Sequence, residues 1–158
     1  MRSGSLPFGL EAALHQLIAW LERLTAARFS VGVTGIVFDD AGRVMLLRHT
    51  FRHRYPWGLV SGWIKHGETP AAALHREVAE ETSLSIHIER LYRVRTDRLH
   101  RAVEVVYLCH LRGGTFRPCH EVTAIRWCAP DALPEGVHPH HAPLIRAAAA
   151  RRAAAPRH

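Results

Sequence analysis

The sequence predicts an α/β protein in which two layers of helix enclose a mixed β-sheet, an α/β/α sandwich. Three observations carry that expectation. Short β-branched and apolar runs bounded by turn residues recur from Val31 onward, one helical stretch interrupts them between Pro70 and Thr82, and a second follows the last of them. A sheet whose strands flank one helix and precede another buries both faces, so it needs helix on each side.

The elements follow in order. Leu10, Leu14, Leu17, Ile18, Leu21 and Leu24 repeat at helical spacing and form one apolar face. Such a helix packs on its own domain or on a twin subunit, which makes a homodimer an expected assembly. From Val31 the period changes: Val31 to Phe38 reads as a buried strand, Asp39 to Gly42 as a turn, and Arg43 to His49 as the returning strand. Thr50 to Pro56 is a loop crowded with Arg52, His53, Arg54 and Tyr55, and Trp57 to Val60 is a short strand. After the Pro70–Thr82 helix, strands are expected from Leu84 to about Arg95, from Val103 to Leu111 and from Val122 to Cys128, with Gly113-Gly114 as a turn. Pro130 to Pro134 reads as a short turn of helix, and Ala142 to Ala150 as the last helix. The domain layout is therefore a helical extension over 1–28, a main domain over 29–145 and an Arg/Ala-rich tail over 146–158.

The 158 residues suit one domain with a real core, since 47% of them are apolar. No apolar run is long enough for a spanning helix and no leader-like layout opens the chain, so the expected compartment is the cytoplasm and no membrane is an expected partner. The net charge of +7 is carried almost wholly by arginine, Lys65 being the only lysine. Polyanions suit such a field, whether nucleotides or nucleic acid. Cys109, Cys119 and Cys128 lie far apart without a Cys-x-x-Cys, which reads as reduced thiols, and with the nearby histidines they match no usual zinc spacing.

The chemistry is carried by acids. In the Pro70–Thr82 helix, Glu77, Glu80 and Glu81 stand at i, i+3 and i+4, so all three carboxylates share one narrow strip. Like charges at those offsets repel by roughly 0.2–0.5 kcal/mol per pair, so folding gives no reason to cluster them. A hard cation does, because carboxylate oxygens bind Mg²⁺ or Mn²⁺ and leave waters for substrate phosphates.

With Gly62, Glu68 and Arg76 added, the stretch Gly62 to Leu84 resembles the Nudix box, the signature of hydrolases that cut a diphosphate linked to a nucleoside. One position departs, Ser83 standing where the family usually has glycine. The resemblance covers roughly Arg28 to Pro134 and implies the Nudix α/β/α sandwich and a Mg²⁺ or Mn²⁺ cofactor. It implies Glu77 and Glu81 as metal ligands, Glu80 as a further ligand or the group that orients water, the Ser61 carbonyl as a backbone ligand, and Glu68 as serving the metal through water or holding its loop. Arg76 orients and shields a glutamate or is a simple ion pair. Glu121, six residues before Trp127, resembles the family's distal glutamate ligand or base, with His120 beside it as a competing base. Arg48, Arg52, Arg54 and Lys65 are placed in sequence to meet phosphates, while Phe51, Tyr55 and Trp63 are candidates to stack on a base; Trp57 and Trp127 are expected in the core.

The implied activity is cleavage of a nucleoside diphosphate linked to another moiety (ADP-ribose, a nucleotide sugar or a nucleoside triphosphate) to a nucleoside monophosphate and a phosphorylated product. The alternative is a nucleic-acid-directed protein, an RNA 5′-end pyrophosphohydrolase or a non-catalytic nucleotide or RNA binder, whose affinity falls steeply with salt.

Overall fold

The computed structural model describes residues 8–25, 28–97 and 101–154. In chain order its elements are α1 (Phe8–Thr25), β1 (Ser30–Phe38), β2 (Val44–His49), β3 (Trp57–Gly58), β4 (Val60–Trp63), α2 (Pro70–Thr82), β5 (Leu84–Asp97), β6 (Ala102–Gly114), β7 (Val122–Cys128) and α3 (His141–Ala154). The sheet runs β3-β2-β1-β6-β5, with β4 added to β1 and β7 to β2. It is mixed because β1 and β6 are parallel, from Ser30↔Ala102 to Phe38↔His110, while the other pairs are antiparallel.

Alternation along the strands builds the two layers. Val33, Val37, Met45 and Leu47 face Ala73, Leu74 and Val78 of α2, whereas Ile36, Phe38, Val44 and Leu46 face Ile145 and Ala148 of α3. The expected α/β/α sandwich is therefore the observed fold. Trp127 packs against the first cluster and Trp57 against the second.

Four local expectations change. Trp57 to Val60 is not one strand: β3 pairs with β2 and β4 pairs with β1, so the chain changes partner at Leu59. The turn expected at Gly113-Gly114 is the end of β6, which extends β5 by pairing Gly114 with Leu84, and the β5–β6 ladder absorbs three register shifts along its length. Pro130 to Pro134 forms a turn closed by Ala132 N–H to Ala129 O (3.0 Å), since Pro134 has no N–H to continue a helix. Finally, α3 runs on to Ala154, into the segment expected as tail, because its alanines and arginines are strong helix formers.

The apolar face of α1 is not covered by its own domain. Leu14, Leu17, Ile18, Leu21 and Leu24 are 44–56% exposed. Among the described residues, no helix is long and apolar enough to cross a membrane.

Candidate active site

The site grows from the start of α2. Thr69 caps that helix, its hydroxyl accepting from Ala72 N–H at 3.2 Å, and Pro70 fills the first helical position, where no N–H is needed. With the start fixed, Leu74, Val78 and Glu81 fall at i, i+4 and i+7 and are all buried, so the apolar face carries Glu81 into the interior. Glu80, one residue back, keeps a half-exposed side chain.

Arg76 ties the other acids together. It donates to Glu68 (2.8 and 3.0 Å), Glu77 (2.7 Å), Glu80 (3.1 Å) and the Trp63 carbonyl (3.1 Å). A single guanidinium thereby fixes three carboxylates and the entering loop. Glu68 also accepts from Lys65 N–H (3.0 Å), so both its oxygens are engaged in holding the loop. The Arg76 bonds, followed by the Lys65 N–H, hold the Glu68 carboxyl down at about 2. Gly62 makes room for the strip, because a Cβ there would overlap the Glu77 carboxylate.

Glu81 is only 6% exposed and its Oε2 has no partner. Burial first, then the neighbouring Glu77, Glu121 and Glu80 charges, push its carboxyl up to about 7, against the pull of Arg52. Glu121 reaches this neighbourhood because its loop is pinned twice. Thr50 N–H donates to its carbonyl (2.9 Å), and Cys119 Sγ donates to the Glu81 carbonyl (3.6 Å) while accepting from Val122 N–H (3.3 Å).

These groups line one cleft of about 810 Å³, with Phe51, Arg52, Ser61, Trp63, Lys65, Arg76, Glu77, Glu80, Glu81 and Glu121 in its walls. Ser61 sits opposite Thr34 in the β4–β1 pairing. Arg52 is half-buried and makes no hydrogen bond or ion pair with another described residue. Burial pulls its guanidinium below the ordinary arginine value, with Glu81 opposing. Phe51 and Trp63 are 64% and 60% exposed at the cleft, so neither is core. Arg48 is exposed on β2 and lines no part of the cleft; Arg54 and Tyr55 line an adjoining cavity instead. His120 is exposed and stacks obliquely near Phe51, ring centres 5.2 Å apart.

A family profile for the NUDIX domain matches residues 28–148. The chain belongs to the Nudix hydrolase family. A MutT-like protein of Streptomyces ambofaciens is 33% identical over 106 residues, 67% of this chain and 68% of that one. Among solved structures, a NUDIX hydrolase from Nitrosomonas europaea superposes with a TM-score of 0.72 at 22% identity, covering 83% of this chain and 76% of the other. An ADP-ribose pyrophosphatase from Streptococcus suis 89-1591 gives a TM-score of 0.67 at 22% identity, covering 83% and 96%. The family's enzymes are hydrolases acting on acid anhydrides, and they generally use divalent metal ions.

The donors of this Nudix site suit such an ion. The orphaned Glu81 oxygen, the strip residues Glu77 and Glu80, Glu121 on the facing loop and the carbonyl of Ser61 form an all-oxygen set, as a hard cation requires. Among the described residues, no three His, Cys, Asp or Glu side chains already converge as a cage, and Arg76 holds one oxygen each of Glu77 and Glu80. The cysteines take no part: Cys109 and Cys128 lie in opposite core layers, and Cys119 serves the loop contacts above.

The structure adds cleft residues that sequence reasoning missed. Thr34 donates to Glu104 (2.7 Å) and Arg95 donates to the same carboxylate (2.6 Å), forming a second polar stretch of the Nudix cleft wall. His49 is 9% exposed, lines the cleft and leaves Nε2 without a partner. Burial and then Arg52 hold it down at about 4, and a hydrogen bond to the Leu59 backbone opposes them. The N–H of the same residue, Leu59, donates to His141 Nδ1 (3.0 Å). The sequence signal for His49 was weak: a histidine ending a strand otherwise buried, next to a loop of arginines.

Proposed function

We propose that this enzyme hydrolyses the diphosphate of a nucleoside diphosphate linked to another moiety, with Mg²⁺ or Mn²⁺, releasing a nucleoside monophosphate and a phosphorylated product. The observation that supports it is one juxtaposition. A buried glutamate heads a carboxylate strip with one oxygen unpartnered among the described residues, and a half-buried arginine with no ion-pair partner among them stands beside it in the same cleft. Separately, acids and an arginine are surface chemistry; together in a cleft they suit a cation on one side and phosphate oxygens on the other.

Glu77, Glu80, Glu81 and the Ser61 carbonyl would hold the divalent ion, which would supply charge neutralisation for the diphosphate and a more acidic water. The chain's own groups do the rest. Arg76 keeps the Glu77 and Glu80 carboxylates aimed. Arg52 and Lys65 neutralise phosphate charge, and Glu121 on the facing loop accepts the proton of the attacking water. Phe51 and Trp63 offer ring faces at the mouth, and the Thr34–Glu104–Arg95 network receives the polar edge of the nucleoside.

The test is a panel of ADP-ribose, nucleotide sugars and nucleoside triphosphates, assayed for nucleoside monophosphate with each metal. The expected result is metal-dependent monophosphate release that Glu81→Gln abolishes without unfolding the protein. Turnover by that variant near the native rate removes the site. Turnover of capped or triphosphorylated RNA in preference to every small molecule, steeply lost with salt, would favour the nucleic-acid reading instead.

A further inference from the structure

Beside the cleft lies a second cavity of about 440 Å³, lined by Arg52, His53, Arg54, Tyr55, His138 and His141. Arg52 is a wall of both cavities. We propose that this second cavity binds a phosphate group carried by the far half of the substrate, so that the preferred substrates bear a phosphate beyond the diphosphate that is cut. This rests on the diphosphatase reading of the neighbouring cleft.

Four independent features converge on an anion. None of the six lining residues is acidic, and neither Arg52 nor Arg54 has an ion-pair partner among the described residues. Two guanidiniums lining one cavity without an acid among them suit an anion, whose oxygens both can meet. Arg54 is held in place over the Tyr55 ring, 5.3 Å from its centre, so its fork is partly ordered before a ligand arrives. His138 lines the cavity and its Nδ1, closed off in this ring orientation, has no hydrogen-bond partner among the described residues, a cost that turning the ring toward a ligand would relieve. Finally, α3 begins at His141, and the first turn of this 14-residue helix holds no acid to compensate its positive end.

The rest of the geometry agrees with a built site. His138 is fixed through its backbone, its N–H donating to the Trp57 carbonyl (2.9 Å) and its own carbonyl accepting from His141 N–H (2.8 Å). Its ring lies 4.8 Å from that of His141 and edge-on to Tyr55 at 6.1 Å. Arg52 rests against the backbone at Gly58, where a Cβ would come within 2.8 Å of Nη1, so the glycine leaves room for the guanidinium in this position. Burial lowers His138, and after it the charges of Arg52 and His140; a bound phosphate would offset that repulsion.

The experiment uses two methylene-bridged ADP-ribose analogues, which cannot be hydrolysed, with and without a phosphomonoester on the distal ribose. Affinities are measured by calorimetry on the native protein, His138→Leu and Arg54→Ala. The phosphorylated analogue is expected to bind the native protein about tenfold more tightly, the value of one charge-assisted bond. Each variant should lose most of that preference, and His138→Leu should bind the plain analogue as the native protein does. His138→Leu removes a polar atom that has no partner; should it nonetheless fail to fold, Arg54→Ala, on an exposed loop, carries the test alone. Equal affinity for both analogues in the native protein, or a preference that survives in Arg54→Ala, overturns the proposal.

A second arm separates a phosphate on the substrate from a free ion. Inorganic phosphate should weaken binding of the phosphorylated analogue only. If it instead alters turnover of plain ADP-ribose through His138, the cavity takes a free ion and the substrate assignment is wrong. Failure of the parent reading looks different: neither hydrolysable parent is cleaved with any metal, whatever the affinities of the analogues.

Discussion

Glu81 is a carboxylic acid that the fold itself makes reluctant to ionise, and removing that acid has a consequence that can be worked through. Burial and three neighbouring carboxylates raise it from an ordinary 4.5 to about 7. Between those values the folded protein holds a proton that the unfolded chain releases, so stability falls as pH rises. The favourable contribution is complete below pH 4.5 and is lost through about pH 7. At about 1.4 kcal/mol for each tenfold change in acidity, the loss comes to about 3 kcal/mol in metal-free buffer. In Glu81→Gln this loss is absent, while the buried amide, left short of partners, costs about 1 kcal/mol at every pH. The variant is therefore expected to be about 1 kcal/mol less stable than the native protein at pH 4.5 and about 2 kcal/mol more stable at pH 8.5. Urea unfolding with a chelator present measures both. His49 and His141, held down at about 4 and about 3 chiefly by burial, drive stability the other way below about pH 6.5. They act in both proteins, so the difference between the two is the readout. A difference that stays constant from pH 4.5 to 8.5 would show that Glu81 is not the strained acid described above.

Three further outcomes are expected. Gly62→Ala should displace Glu77 and reduce kcat at least a hundredfold with little change in far-ultraviolet circular dichroism, because the added methyl overlaps a side chain rather than the backbone; near-native kcat would count against the clearance argument. Ser83, the helix end that resembles a glycine position, has a left-handed backbone (φ 61°), its N–H donating to Ala79 O, so Ser83→Gly should raise unfolding stability by about 0.5–1 kcal/mol; a loss of stability would contradict it. Arg52→Ala should raise KM more than it lowers kcat, as expected for a half-buried cation that meets phosphate in ground and transition states alike; the reverse split in steady-state kinetics would move it out of the binding role.

Helix α2 was readable to the residue. Thr69, Pro70 and the spacing of Leu74, Val78 and the glutamates are local signals, and a helix turns local spacing directly into direction. The acid strip followed from the same rule, whereas the expectation for Ser83 came from the resemblance, which places a glycine at that helix end. Pairing between distant segments has no such local code. Nothing near Leu59 announces that the chain leaves β2 for β1, and nothing in Arg48 distinguishes it from Arg52, yet one is outside the cleft and the other stands beside Glu81. Thr34 meets Glu104, and His49 and His141 meet the backbone carbonyl and N–H of Leu59, only because the parallel β1–β6 register and the return of α3 bring them there. Burial settles the remainder: whether Glu81 is an ordinary acid or a reluctant one depends on which neighbours exclude water from it, and those neighbours come from α2, the Arg52 loop and the Glu121 loop together.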